Sequence, residues 1–178
     1  MPKFLIISGS PRQGNTEFIL REIFTALRGE KELILLRKLN INRCRGCLSC
    51  DKLKKCVQQD DMQAIYPKMQ AADVLIIGSP NYFDNVSGLM KDFIDRTNPF
   101  YKTDKLRNKK VFFIVVGGGK VKNSQRVVEA LKYFADAHKL EVVGSYCFQA
   151  LRLNDMASDS KSLKQIKEII KKIKSLSK

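Results

Sequence analysis

The chain is poor in several things that would mark other classes of protein. It has one histidine, few aromatic residues (8%) and 18 acidic side chains against 33 basic ones in 178 residues. No apolar run approaches the roughly 18 residues that a membrane-spanning helix requires. The first apolar run, Phe4 to Ile7, is too short for the hydrophobic part of a signal peptide. A soluble cytoplasmic protein without membrane attachment is expected. The aromatics are not interleaved with the basic residues as base-stacking platforms would require, so nucleic acid is not the expected partner despite a net charge of +15. There is no internal repeat, low-complexity tract or linker. The lone histidine, His138, falls at the end of a helical stripe, a common place for a half-buried or helix-terminal histidine with no catalytic part.

Apolar residues make up 44% of the chain, enough for the core of one α/β domain over residues 1–178. Four short runs read as strands buried on both faces: Phe4 to Ile7, Leu33 to Leu36, Val74 to Ile77 and Val111 to Val116. A fifth, Glu141 to Phe148, is more mixed. Between them lie helical patterns. Asn15 or Thr16 can cap a helix carrying Ile19, Ile23, Ala26 and Leu27, and Asp60 or Asp61 can cap one carrying Met62, Ile65 and Met69. Leu89, Met90, Phe93 and Ile94 mark a third helix, and Val127, Leu131, Phe134 and Ala135 a fourth.

The fifth helix, near the carboxyl end, interleaves Lys161, Lys164, Lys167, Lys171, Lys172, Lys174 and Lys178 with Leu163, Ile166, Ile169, Ile170, Ile173 and Leu176. Its lysines read as a solvated face opposite an apolar one. Strands alternating with helices imply a parallel sheet covered on both faces, because right-handed crossovers place the helices there. The one long interruption, Lys38 to Gln59, holds four of the five cysteines, and a loop of that length is usually functional.

Directly after the first strand comes Ser8-Gly9-Ser10-Pro11-Arg12-Gln13-Gly14-Asn15-Thr16. A helix that starts there offers unpaired N–H groups and the positive end of its dipole to an anion, and the glycines let main chain approach closely. Ser10, Asn15 and Thr16 can add side-chain donors and Arg12 a charge. The loop matches neither GxxxxGK nor GxGxxG, so a monophosphate is the expected anion. The same residues would also make a plain glycine and proline turn.

GSPRQGNT after a first strand resembles the phosphate loop of the NAD(P)H-dependent FMN reductase group of flavodoxin-like proteins. The segment Ala72 to Phe83, then Gly88-Leu89-Met90-Lys91 and Asp95-Arg96, is similar to that family as well. The resemblance implies a flavodoxin-like fold, a five-stranded sheet in the order 2-1-3-4-5, with FMN at the carboxyl ends of the strands. It also implies that Pro80, Asn81, Tyr82 and Phe83 contact the flavin ring. Tyr82 and Phe83 would otherwise simply pack the loop. Gly117, Gly118 and Gly119 follow the fourth strand at the same edge and read as a second wall of the ring site, although tight turns use the same residues. A flavin accepts hydride itself, so no protein acid, base or nucleophile is required.

Cys44, Cys47, Cys50 and Cys56 form CxxCxxC and a fourth Cys after five residues. Three thiols at that pitch suit one face of a cubane, and the pattern resembles the bacterial ferredoxin run without its proline. Zinc usually joins two ligand pairs across a longer loop. Free thiols or a regulatory CxxC disulfide remain open alternatives. The compact pattern resembles that of the iron-sulfur flavoproteins, which implies a 4Fe-4S cluster beside FMN. Arg43, Arg45, Lys52, Lys54 and Lys55 surround the thiols and would offset the charge of such a cluster, or form a solvated loop. Cys147, in the last strand, reads as an apolar core residue.

The resemblance implies an FMN oxidoreductase taking electrons from NAD(P)H or reduced ferredoxin and passing them to a small acceptor or redox protein, working as a homodimer. The basic surface suits an acidic ferredoxin. The alternatives are a flavodoxin-type carrier without turnover, which the basic composition disfavours because flavodoxins are acidic, and a cysteine-based redox sensor.

Overall fold

The apolar runs become β1 (Phe4–Ser8), β2 (Lys31–Leu35), β3 (Val74–Pro80), β4 (Lys110–Gly117) and β5 (Glu141–Gln149). All pair in parallel, in the order β2-β1-β3-β4-β5, the doubly wound arrangement expected. The computed structural model describes residues 1–176. Its helices are α1 (Asn15–Ala26), α2 (Ser49–Leu53), α3 (Met62–Ala71), α4 (Gly88–Arg96), α5 (Gln125–Ala137), α6 (Asp155–Ser158) and α7 (Ser160–Ser175). α2 and α6 are too short to show a helical period, which is why they are not legible as sequence.

Alternate residues of each strand face opposite sides. Leu5, Ile7, Leu75, Ile77, Phe113 and Val115 pack under α3, α4 and α5, through Met62, Met69, Phe93 and Leu131 among others. Ile6, Ile76, Phe112 and Ile114 pack under α1 and α7, through Ile19, Ile23, Ile166, Ile169 and Ile173. At roughly 1.5–3 kcal/mol per fully buried large apolar side chain, these two layers hold the sheet edge rigid under its loops. Lys161, Lys164, Lys167, Lys171, Lys172 and Lys174 are exposed, as a solvated helix face requires; Lys178 lies outside the described residues. Cys147 is half-buried against the first core layer, and burial pushes its thiol pKa up. Among the described residues no helix is long and apolar enough to cross a membrane.

Two local expectations, the end of the second strand and the cap of α1, are corrected. The second strand runs Lys31–Leu35, and Leu36 begins a 3-10 turn instead of ending the strand. Neither Asn15 nor Thr16 caps α1; Gly14 occupies that position in extended conformation, without a side-chain cap. At α3 the residue in the cap position, Asp61, makes no capping bond; the neighbouring Asp60 accepts from Met62 N at 3.1 Å.

Candidate functional site

Because every strand is parallel, the loops after β1, β3 and β4 all leave from one edge. The chain turns from β1 toward β2 on one side and from β3 toward β4 on the other, so a crevice opens between neighbours β1 and β3. The loop at residues 9–16 is anchored to that crevice. Gly9 N donates to Gly78 O at 2.8 Å, and the Ser87 hydroxyl donates to Gly9 O at 2.5 Å. A Cβ on Gly9 would lie 2.7 Å from Met90 Cβ, so only glycine lets α4 come this close.

The donors named from sequence separate into two groups. The Ser10 hydroxyl donates to Arg12 O at 2.6 Å and closes the loop on itself. The Asn15 carboxamide donates to Arg152 O at 2.7 Å and accepts from Met156 N at 3.2 Å. What remains free is the start of α1. Its first intrahelical-type bond is Phe18 N to Gly14 O at 2.8 Å, so the N–H groups of Asn15, Thr16 and Glu17 have no acceptor among the described residues. The Thr16 hydroxyl is likewise unengaged, and exposed Arg12 forms no ion pair among the described residues. Of the acids nearby, buried Glu17 is neutralised by Arg21 at 2.9 Å and Arg37 at 3.0 Å, and Asp155 accepts from Leu151 N and Arg152 N at 2.8 and 2.7 Å. The helix start can therefore receive an anion without meeting an uncompensated carboxylate.

In the loop after β3, Asn81 N donates to Val116 O at 2.8 Å, and Tyr82 and Asn85 exchange two main-chain bonds at 2.9 and 3.1 Å. Phe83 and Asp84 form the tip with φ of 51° and 58°, and their N–H groups have no acceptor among the described residues. Pro80 is buried as the last residue of β3. The aromatics do not pack the loop interior, since Phe83 is 105% exposed and Tyr82 42%. Gly117 ends β4 where a Cβ would lie 3.1 Å from Asn81 Cβ and 3.2 Å from Ser124 Oγ, so it lets the two loops meet. Gly118 and Gly119 follow, both exposed at the same edge.

The cysteine loop forms a second centre. Cys44, Cys47, Cys50 and Cys56 all line one cavity of about 360 Å³. Gly46, Leu48 and Lys54 adopt left-handed conformations, and these reversals wind the loop around that cavity. Arg43, Arg45, Lys52, Lys54 and Lys55 are exposed around it. Among the described residues no three His, Cys, Asp or Glu side chains converge on a single-ion site. The four thiols are spread around one cavity instead. Hydrogen bonds from Ser49 hold the Cys47 thiol below its ordinary pKa.

Sequence reasoning missed what holds this loop. Arg96, at the end of α4, forks onto Asp60 with contacts of 2.5 and 3.0 Å and donates to Asn42 O at 2.6 Å; both charged side chains are 1% exposed. Burial pushes the Asp60 carboxyl up, but the Arg96 fork and the N–H groups of Asn42 and Met62 outweigh it and hold the pKa below the usual range. Tyr66 donates to Arg96 O at 2.6 Å, and burial together with neighbouring Cys56 pushes its phenol up. Asn98 Nδ2 donates to Cys50 Sγ at 2.9 Å. Behind Asn98, Thr97 Oγ1 lies 2.8 Å from His138 Nε2. His138 is buried and its pKa is lowered by burial to about 4, so it stays neutral near neutrality. These contacts span 18 to 54 residues of chain, and no local spacing announces them.

Residues 2–151 match the NADPH-dependent FMN reductase family. An iron-sulfur flavoprotein of Methanocaldococcus jannaschii is 37% identical over 146 residues, 80% of this chain and 76% of that one. Another, of Methanosarcina thermophila, is 29% identical over 173 residues, covering 94% and 91%. Among solved structures, an NADH:FMN oxidoreductase in its apo form superposes with a TM-score of 0.69 at 22% identity, over 96% of this chain and 87% of that one, a likeness of fold. The parallel sheet, the uncapped helix start in its crevice and the match over most of the chain agree, and the chain belongs to the NADPH-dependent FMN reductase family of FMN-dependent oxidoreductases.

Proposed function

We propose that the chain binds FMN at the β1/β3 crevice, carries a 4Fe-4S cluster on Cys44, Cys47, Cys50 and Cys56, and moves electrons from NAD(P)H or a reduced ferredoxin to a small acceptor or redox protein. The observation that carries the flavin site is the set of three acceptor-free N–H groups at Asn15, Thr16 and Glu17, positioned where an open parallel sheet takes ligands. A phosphate there would also meet Thr16 and Arg12, with Ser10, Gly14 and Asn15 shaping the loop. Tyr82, Phe83 and the Gly117–Gly119 segment flank the place left for the ring, and Pro80 and Asn81 fix their approach. The relatives' names, iron-sulfur flavoprotein, support reading the four-thiol cavity as a cluster site.

FMN, when bound, supplies hydride acceptance and release of electrons singly or in pairs. The chain's own contribution is to seat the anion, fix the ring's orientation and leave one face open to the donor. The cluster would supply a one-electron relay, with the surrounding basic residues giving an acidic redox partner a docking rim. We further propose that residues 1–178 work as one flavin unit bearing the 38–59 cysteine loop, and that two copies associate so that exposed Phe83 meets the neighbouring subunit.

Anaerobic absorption of the purified protein with iron and flavin analysis tests the cofactors: flavin bands and about four irons per chain are expected. Flavin without iron would reject the cluster, and a colourless protein that takes up no added FMN would reject the whole proposal. Turnover of NADH or NADPH separates an enzyme from a simple carrier. Light scattering that gives a monomer retaining tight FMN would remove the dimer.

A further inference from the structure

Three of the five N–H groups of the Arg96 guanidinium are engaged: both terminal nitrogens bond Asp60, and one also bonds Asn42 O. Its Nε–H, although buried, has no acceptor among the described residues. An orphaned donor on a buried cation is costly, and such groups are retained where something outside the chain completes them. Arg96 lines the four-cysteine cavity, whereas its counter-ion Asp60 does not. A buried cation thus stands at the wall of the cavity beside Cys56, which neighbours both Arg96 and Tyr66. On the side of Cys50, Asn98 gives its carboxamide N–H directly to the sulfur.

We propose that Arg96 and Asn98 are positioning residues that raise the reduction potential of the group held by the four cysteines, by aiming a buried cation and an N–H donor at its sulfur shell. This rests on the cluster reading above. A thiolate-ligated cluster becomes more negative when it gains an electron, and hydrogen bonds and positive charge at its sulfurs stabilise that more negative form. Asp60, which does not line the cavity, holds the guanidinium in place through its two contacts.

The test is an EPR-monitored redox titration of the holoprotein, with iron and flavin content measured alongside. Arg96→Gln alone would leave Asp60 buried and unpaired, so the first variant is the neutral pair Asp60→Asn/Arg96→Gln. It is expected to keep its iron and lower the reduction equilibrium constant about tenfold, about 59 mV for one electron. The second variant, Asn98→Ala, leaves the ion pair intact and is expected to lower the constant about threefold, as loss of one sulfur-directed hydrogen bond. Iron-loaded variants with unchanged midpoint potentials overturn this inference and leave the cluster reading standing. A parent protein without iron overturns both.

Discussion

The helix start at residues 9–16 and the cysteine loop at residues 38–59 solve the same problem, holding a charged group, by opposite means. The first is made of backbone. Its donors are N–H groups left over by helix geometry, and its position follows from the strand that precedes it. The second is made of side chains on a loop with one short helix, and it is fixed from outside by Arg96, Asp60, Tyr66 and Asn98. A backbone site inherits the rigidity of the sheet, while a side-chain site on a loop needs partners distant in sequence. The two sites should fail separately.

The largest effect is expected for Asp60→Ala, which leaves the Arg96 cation buried and unpaired and strips acceptors from Asn42 N and Met62 N. A loss of about 3–5 kcal/mol in denaturant unfolding is expected, with iron lost before flavin. Lowering the pH acts on the scaffold behind the cysteine loop. His138 titrates near 4 in the folded protein and near 6.5 unfolded, so the unfolded state binds more protons between those values. Stability is full above pH 6.5 and falls by about 3 kcal/mol on descent to pH 4; His138→Gln should flatten that slope in thermal melts across the interval.

On the other side, Gly9→Ala sets a Cβ 2.7 Å from Met90 Cβ and should cost about 1–3 kcal/mol. Its signature is weakened FMN retention on gel filtration with unchanged iron. The smallest effect is expected for Arg12→Gln, about tenfold weaker FMN binding by fluorescence titration, with iron and melting temperature unmoved. If this variant lost iron along with flavin, the independence of the two sites would be disproved.

The sheet was legible because each central strand is an unbroken apolar run and each of the longer helices a 3.6-residue stripe, signals that need no partner to be read. The anion loop was legible for the same reason: Ser10 to Thr16 lie within seven residues of one another, between a strand and a helix. The roles of its side chains were less legible. Asn15 looks like a cap or a ligand donor, but its carboxamide ties down the segment around Arg152 and Met156, 137 and 141 residues away. The four thiols could be counted from sequence, yet that they line one cavity, and that Arg96 closes it, could not.

What the sequence determined by itself is the order of strands and helices, the glycine-rich turn into α1 and the supply of four closely spaced thiols, all set by interactions within a few residues. Only the tertiary structure decided which donors stay free. Asn15 and Ser10 are engaged by their neighbours, whereas the first N–H groups of α1 and the Nε–H of Arg96 are not. The reason is physical: a polar group's availability depends on every acceptor that folding brings within 3 Å or so of it, and those acceptors come from parts of the chain that no local pattern can name.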